Sequence, residues 1–123
     1  VIDYRKQLIE VFLTRFKSLS VRAGIRLEKR KEPEKKLDSL SINYEIALEL
    51  IMDLTVEDYS EGPKDDKDQS YDGTVWIFGK EVNEKMAYIK LKIDIKKGHE
   101  IPKCLAFHEA EFPMKFPLKK GGD

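Results

Sequence analysis

The stretch Met86–Ile95 alternates without a break. Ile89, Leu91, Ile93 and Ile95 fall on one side of it, and Tyr88, Lys90, Lys92 and Asp94 on the other. A period of two belongs to an extended strand, whose successive side chains point to opposite faces. This segment therefore predicts a strand with one wet face and one dry face, and the chain has to supply apolar cover for the dry one. Its neighbours in sequence share the pattern. Thr74–Phe78 is rich in β-branched and aromatic residues, and Trp76 and Phe78 alternate with Val75 and Ile77. In Lys103–His108, Leu105 and Phe107 oppose Cys104, Ala106 and His108. Val82–Lys85 and Lys96–Pro102 read as connections. Both are short, which favours antiparallel neighbours.

The cover is predicted to be helical. In residues 4–19, Leu8, Phe12, Phe16 and Leu19 recur at helical spacing, Ile9 and Leu13 widen the stripe, and Asp3 can cap it. Residues 42–53 form a second helix with Ser41 as cap and Ile46, Ala47, Leu50, Ile51 and Leu54 as its stripe. Leu48 and Met52 extend the apolar surface to a second face. Between these helices, residues 20–28 change period: Val21, Ala23, Ile25 and Leu27 read as a half-buried strand. Lys29–Lys36 is too charged for a core, and Pro33 can open a short helix there. Glu61–Gly73 carries loop chemistry, and Pro113 and Pro117 punctuate the end. The order predicts an α+β domain, an antiparallel sheet with helices packed on one face. At 123 residues and 41% hydrophobic, the chain is one domain with enough apolar material for a core. It is read as a single domain over 1–123, with its core about 4–117 and a flexible tail at 118–123.

Charge and composition exclude several classes. With 23 basic and 23 acidic residues the net charge is zero, which argues against coating nucleic acid by bulk electrostatics. No apolar run approaches the ~20 residues a bilayer span requires. The opening Val1-Ile2-Asp3 shows no signal-peptide pattern, so the expected location is cytoplasmic. A lone cysteine, Cys104, excludes an internal disulfide framework. The charge is unevenly placed. Arg22–Lys36 holds seven basic and three acidic residues, and Glu57–Asp72 seven acidic and two basic. Two solvated loops of unlike charge, or one patch for a polyanion and one for a basic partner, both fit this pattern.

If Ile89, Leu91 and Ile93 turn towards the helices, Tyr88, Lys90 and Lys92 must share the opposite face. The same argument turns Leu105 and Phe107 inward and His108 outward, beside Tyr88 and Lys90. A histidine, a phenol and ammonium groups on one rigid face suit phosphoryl chemistry. The histidine can move a proton near neutral pH, the lysine can stabilise a phosphorane, and the tyrosine can hydrogen-bond a phosphate or stack on a base. Lysines alternating on a solvated strand are also ordinary. Alternation leaves open which pair of Thr74–Phe78 faces out; an outward Trp76 can hold a base. His108-Glu109-Ala110-Glu111 lacks the second histidine of a zincin motif, and His99, His108 and Cys104 are too few for a closed metal site. No Gly-rich phosphate loop is present. Cys104 and His108, four apart on one strand, lie ~13 Å apart along it, too far for a nucleophile–base pair.

Four segments form an ordered set: Leu54-Thr55-Val56-Glu57-Asp58-Tyr59-Ser60-Glu61-Gly62-Pro63, Trp76-Ile77-Phe78-Gly79-Lys80, Tyr88-Ile89-Lys90-Leu91, and Cys104-Leu105-Ala106-Phe107-His108-Glu109-Ala110-Glu111-Phe112-Pro113. The set resembles the MqsR-like (motility quorum-sensing regulator) toxins of bacterial type II toxin–antitoxin systems, over roughly residues 20–117. The resemblance implies a RelE-like fold and a metal-independent mRNA endoribonuclease without a cofactor. It also implies RNA as substrate and a protein antitoxin as partner, of the zinc-binding, helix-turn-helix kind, with no membrane involved. The Arg22–Lys36 segment or an exposed sheet edge is the expected antitoxin surface.

Residue by residue, the family's active-site tyrosine falls on Tyr88, with Lys90 just after it. The family's catalytic lysine near the end of the last strand falls on His108. Its lysine after the acidic-aromatic turn falls on Glu61, a reversal of charge. Lys64 can replace that cation from further along the loop, or Glu61 can itself act as base with His108 as acid. The family glutamine after the tryptophan falls on Ile77, so that role is absent. Lys92, Lys80 and Trp76 complete the expected RNA-binding set. The implied reaction is attack of the substrate's 2′-hydroxyl on the adjacent phosphorus, leaving a 2′,3′-cyclic phosphate and a 5′-hydroxyl. The alternative is a non-catalytic RNA- or antitoxin-binding module, a degenerate toxin homologue, for which the Glu61 and Ile77 departures speak.

Overall fold

The structure, a computed structural model, describes residues 4–27, 37–65 and 73–120. Helix α1 runs over Arg5–Ala23 and buries Ile9, Phe12, Leu13, Phe16 and Leu19. It continues four residues past the predicted end because nothing in Ser20–Ala23 breaks a helix. Gly24 ends it at φ 75°, a left-handed conformation cheap only for glycine, with its N–H donating to the Ser20 carbonyl at 2.8 Å. The strand predicted over 20–28 therefore shrinks to β1, Arg26–Leu27, and Val21 is exposed on the helix. The expected Asp3 cap and the Lys29–Lys36 segment with Pro33 lie outside the described residues; Tyr4, at the N-cap position, makes no side-chain cap.

Helix α2 covers Tyr44–Met52, two residues later than predicted, because Asn43 and not Ser41 caps it. The Asn43 side chain accepts from the Ile46 N–H at 2.9 Å, whereas Ser41 sits at φ 58° in the preceding turn. Ala47 and Ile51 face the core, while Ile46, placed in the stripe by its spacing, is exposed. A single 3-10 turn, Val56–Asp58, follows. Thr55 and Asp58 cap it reciprocally: Thr55 Oγ1 accepts from the Glu57 N–H at 3.3 Å and Asp58 Oδ2 from the Thr55 N–H at 2.9 Å.

Four further strands complete the sheet: β2 (Tyr59–Asp65), β3 (Thr74–Val82), β4 (Lys85–Lys96) and β5 (His99–Glu109). Their order is β1-β5-β4-β3-β2. All neighbours are antiparallel except β1, which lies parallel to β5. The sheet is therefore mixed at one edge rather than wholly antiparallel, and its helices lie on one side, as the α+β reading requires. The connections β3–β4 and β4–β5 are two-residue turns with both residues at positive φ, Asn83-Glu84 (49°, 67°) and Lys97-Gly98 (51°, 79°). That geometry matches the twist of paired strands. It starts β5 at His99, earlier than predicted.

Two corrections concern the strands themselves. Glu61–Asp65, read as the start of a loop, belongs to the edge strand Tyr59–Asp65. Its glycine, proline and charges mimic loop composition, and Pro63 is tolerated there because an edge strand leaves N–H groups unpaired. In β5 a bulge intervenes: Lys90 pairs with Ala106 but Leu91 with Cys104. Leu105 is the extra residue. The bulge puts Cys104 beside Leu91 and Phe107 in the core, and Leu105, also buried at 7% exposure, lies outside that cluster.

The core is an aromatic stack between α1 and the sheet. Phe12 lies on Trp76 (centroids 4.8 Å, 17°) and beside Phe78 (6.2 Å, 13°), with Tyr59 edge-on to both. Leu118, placed in a flexible tail by the sequence, packs against this cluster, and the Lys120 N–H donates to Glu57 Oε1 at 3.2 Å. Among the described residues no helix is long and apolar enough to cross a membrane.

Candidate active site

The face of the sheet away from the helices carries the polar set. Tyr88 and His108 are direct cross-strand partners, so their side chains leave the sheet side by side. Their rings stack at 5.1 Å between centroids and 14° from parallel. The His108 Nδ1 lies 2.8 Å from the Glu109 carbonyl. A carbonyl oxygen can only accept, so this contact assigns the proton of the neutral ring to Nδ1 and leaves the Nε2 lone pair for chemistry. Lys90, two residues beyond Tyr88, shares the face and stands between Ile77 and Ala106.

Tyr88 is half-buried. Burial is the main cause that holds its phenol above the ordinary value of 10.0, and the carboxylates of Glu61 and Glu111 add to it. Tyr88 therefore keeps its proton at neutral pH and acts as a hydrogen-bond donor.

Glu61 and Lys64 reach this face through irregularities in β2. Tyr59 pairs with Phe78 on the helix side; a register shift then sets Glu61 opposite Ile77, and another sets Lys64 opposite Val75. The two form an ion pair at 3.6 Å. Strands lie about 4.8 Å apart, and residues two apart on a strand about 6.8 Å. On that spacing the Cα atoms of Tyr88, His108 and Lys90 fall within about 8 Å of one another, whereas Glu61 lies three strands and about 16 Å from His108. The structure thus brings three residues together and leaves Glu61 and Lys64 on the flank. Glu61 acts on Tyr88 through its field and is too distant to share one phosphodiester with His108 as a base–acid pair.

The three residues expected to bind RNA are placed otherwise. Trp76 faces the helices and is stacked on Phe12. Lys80 lies on the same side of β3, with its ammonium 3.8 Å from Asp58. Lys92 is on the outer face but only 1% exposed, next to Lys103 at 3%. Lys103 binds Asp94 at 2.8 Å. Burial works to raise the Asp94 carboxyl, yet the hydrogen bond and charge of Lys103, the charge of Lys92 and the Ile95 N–H together hold it below its usual value. The pair of lysines is structural, a fact that alternation along one strand does not reveal. Cys104 is equally interior: burial pushes its thiol up to about 12, and Sγ contacts the Ala106 carbonyl.

One element of the site has no counterpart in the sequence reading. After β5 the chain crosses the outer face and sets Met114 and Phe116 over Gly79, the partner of Tyr88 on β3. A Cβ at Gly79 would lie 2.7 Å from the Phe116 ring and 2.9 Å from the Met114 sulfur. The available signal was the glycine inside a strand pattern, which marks a close approach by another segment. Comparison with protein-family models, with curated proteins and with solved structures returns no match to this chain.

Proposed function

We propose that this domain is an endoribonuclease that cuts single-stranded RNA through the substrate's own 2′-hydroxyl, and that it acts as the toxin of a type II toxin–antitoxin system. The observation that carries the reaction is the stacked Tyr88–His108 pair with Lys90 beside it, all three partly exposed, on the face of the sheet away from the helices. The toxin assignment and the antitoxin partner rest on the resemblance of the four ordered segments.

In this reading His108 Nε2 takes the proton from the 2′-hydroxyl. The 2′-oxygen bonds to phosphorus as the bond from phosphorus to the 5′-oxygen breaks. The Tyr88 hydroxyl donates its proton to the departing oxygen, and the His108 imidazolium returns a proton to Tyr88 through solvent. Lys90 offsets the negative charge that grows on the phosphorane oxygens. Each proton-transfer group typically contributes about 10²–10⁴ in rate. DNA lacks the attacking hydroxyl and is not cut.

The test is incubation of the purified protein with a defined single-stranded RNA, followed by analysis of both new ends. A 2′,3′-cyclic phosphate and a 5′-hydroxyl are expected, lost in His108→Ala and lost when the cut nucleotide is 2′-deoxy. Cutting by His108→Ala at the wild-type rate would remove His108 from the mechanism. No cutting of any RNA by the folded wild type would leave a binding module.

A further inference from the structure

We infer that the segment crossing the site, residues 110–120, is a track for single-stranded RNA, in which Phe112 stacks on a base and Lys115 and Lys119 hold phosphates. The inference rests on the ribonuclease reading and names where the substrate flanking the cut would lie. The segment is pinned at both ends of Phe112. Before it, the Ala110 N–H donates to the Met86 carbonyl at 2.8 Å, and Glu111 is close enough for its charge to act on Tyr88. After it, Met114 and Phe116 sit on Gly79.

From Met114 onward covered and exposed residues follow one another. Met114, Phe116 and Leu118 are covered, while Lys115 and Lys119 are exposed. Phe112 is next in the covered series, yet it is 77% exposed. A phenyl ring held out on an anchored backbone, with Pro113 restricting the residue before it, loses little freedom when a planar ligand stacks on it. An exposed ring followed by exposed cations on one anchored segment suits a single strand, whose bases stack and whose phosphates pair with lysines. The Lys119 ammonium lies over the Phe116 ring, 5.8 Å from its centroid, on the turn that the Lys119 N–H closes by donating to the Phe116 carbonyl at 3.2 Å.

The experiment uses a fluorescein-labelled 2′-O-methyl RNA of mixed sequence and about 12 nucleotides, within the span single-strand grooves cover. It cannot be cut by 2′-hydroxyl attack, so binding is read apart from chemistry. Fluorescence anisotropy should show Phe112→Ala binding about 5- to 100-fold more weakly, with Phe112→Trp close to wild type. Lys115→Ala and Lys119→Ala should each reduce the slope of log affinity against log salt by about 0.7. Phe112→Ala and both lysine variants binding within about twofold of wild type, with unchanged salt slopes, would overturn the track while leaving the cleavage reading intact. A wild type that does not bind the oligonucleotide would overturn it as well. Weakened binding by Phe112→Ala, with no cutting of unmodified RNA by the wild type, would support the track and remove the ribonuclease reading alone.

Discussion

Tyr88 and His108 stand directly opposite each other on antiparallel strands, with their rings 5.1 Å apart and nearly parallel. The sheet backbone fixes this relationship. Neither ring can change its neighbour without a shift of register, and a shift by one residue would send one of them into the core.

The surroundings of Tyr88 yield a titration. Its phenol is raised by burial, then by Glu61 and Glu111. Glu61→Gln removes one of those charges, so the phenol should move down towards 10.0, read by NMR of tyrosine labelled at the ring carbon. The sign for stability follows. Because the folded value lies above the unfolded one, the contribution of Tyr88 is fully present below pH ~10 and is lost as pH rises through the folded value. Tyr88→Phe should remove that alkaline loss. An unchanged phenol titration in Glu61→Gln would mean that Glu61 does not act on Tyr88.

Asp94 gives the opposite limb. Its carboxyl is held low by Lys103 and Lys92, so its contribution to stability is present above the unfolded value of ~3.9 and is lost as pH falls through the lower folded value. Urea unfolding between pH 2 and 7 should show this acid loss, and Asp94→Asn should flatten it. At neutral pH, Asp94→Ala takes a carboxylate from a Lys103 that is 3% exposed and should cost about 3 kcal/mol.

Asn43 is the N-cap of α2 through one hydrogen bond of 2.9 Å to the Ile46 N–H. Asn43→Ala should lower stability by about 1 kcal/mol, and Asn43→Asp should leave it nearly unchanged. Ser41→Ala, the substitution at the residue that spacing alone nominates, should cost less than Asn43→Ala. Thermal melts of the three variants decide the order.

Gly79→Ala tests the crossing segment. The added methyl meets Phe116 and Met114 at under 3 Å, so the segment must lift. Overpacking of this kind costs about 1–3 kcal/mol. Trypsin should then cleave at Lys115 and Lys119 faster than in the wild type, while the rest of the domain resists. Equal cleavage rates would mean that the segment is not held by this contact.

The alternation of Met86–Ile95 was enough to place Ile89 and Leu91 in the core and Tyr88 and Lys90 opposite them, because a strand's period is a local property of the backbone. The helical stripe of Phe12 and Phe16 is legible for the same reason. Facing across a sheet is not local. A bulge in β5 brings Cys104 into the core opposite Leu91, and irregularities in β2 carry Glu61 and Lys64 to the outer face of a strand whose composition reads as loop. Burial is not local either. Lys92 occupies the same side of β4 as Lys90, yet it is interior and belongs with Lys103 and Asp94. Trp76 or Val75 could each have faced the helices until Phe12 stacked on one of them. Periodicity along the chain therefore determined which residues share a side of each strand or helix. Register, bulges and the segment laid over Gly79 decided which side is covered, because each depends on contacts between residues distant in sequence that no local pattern encodes.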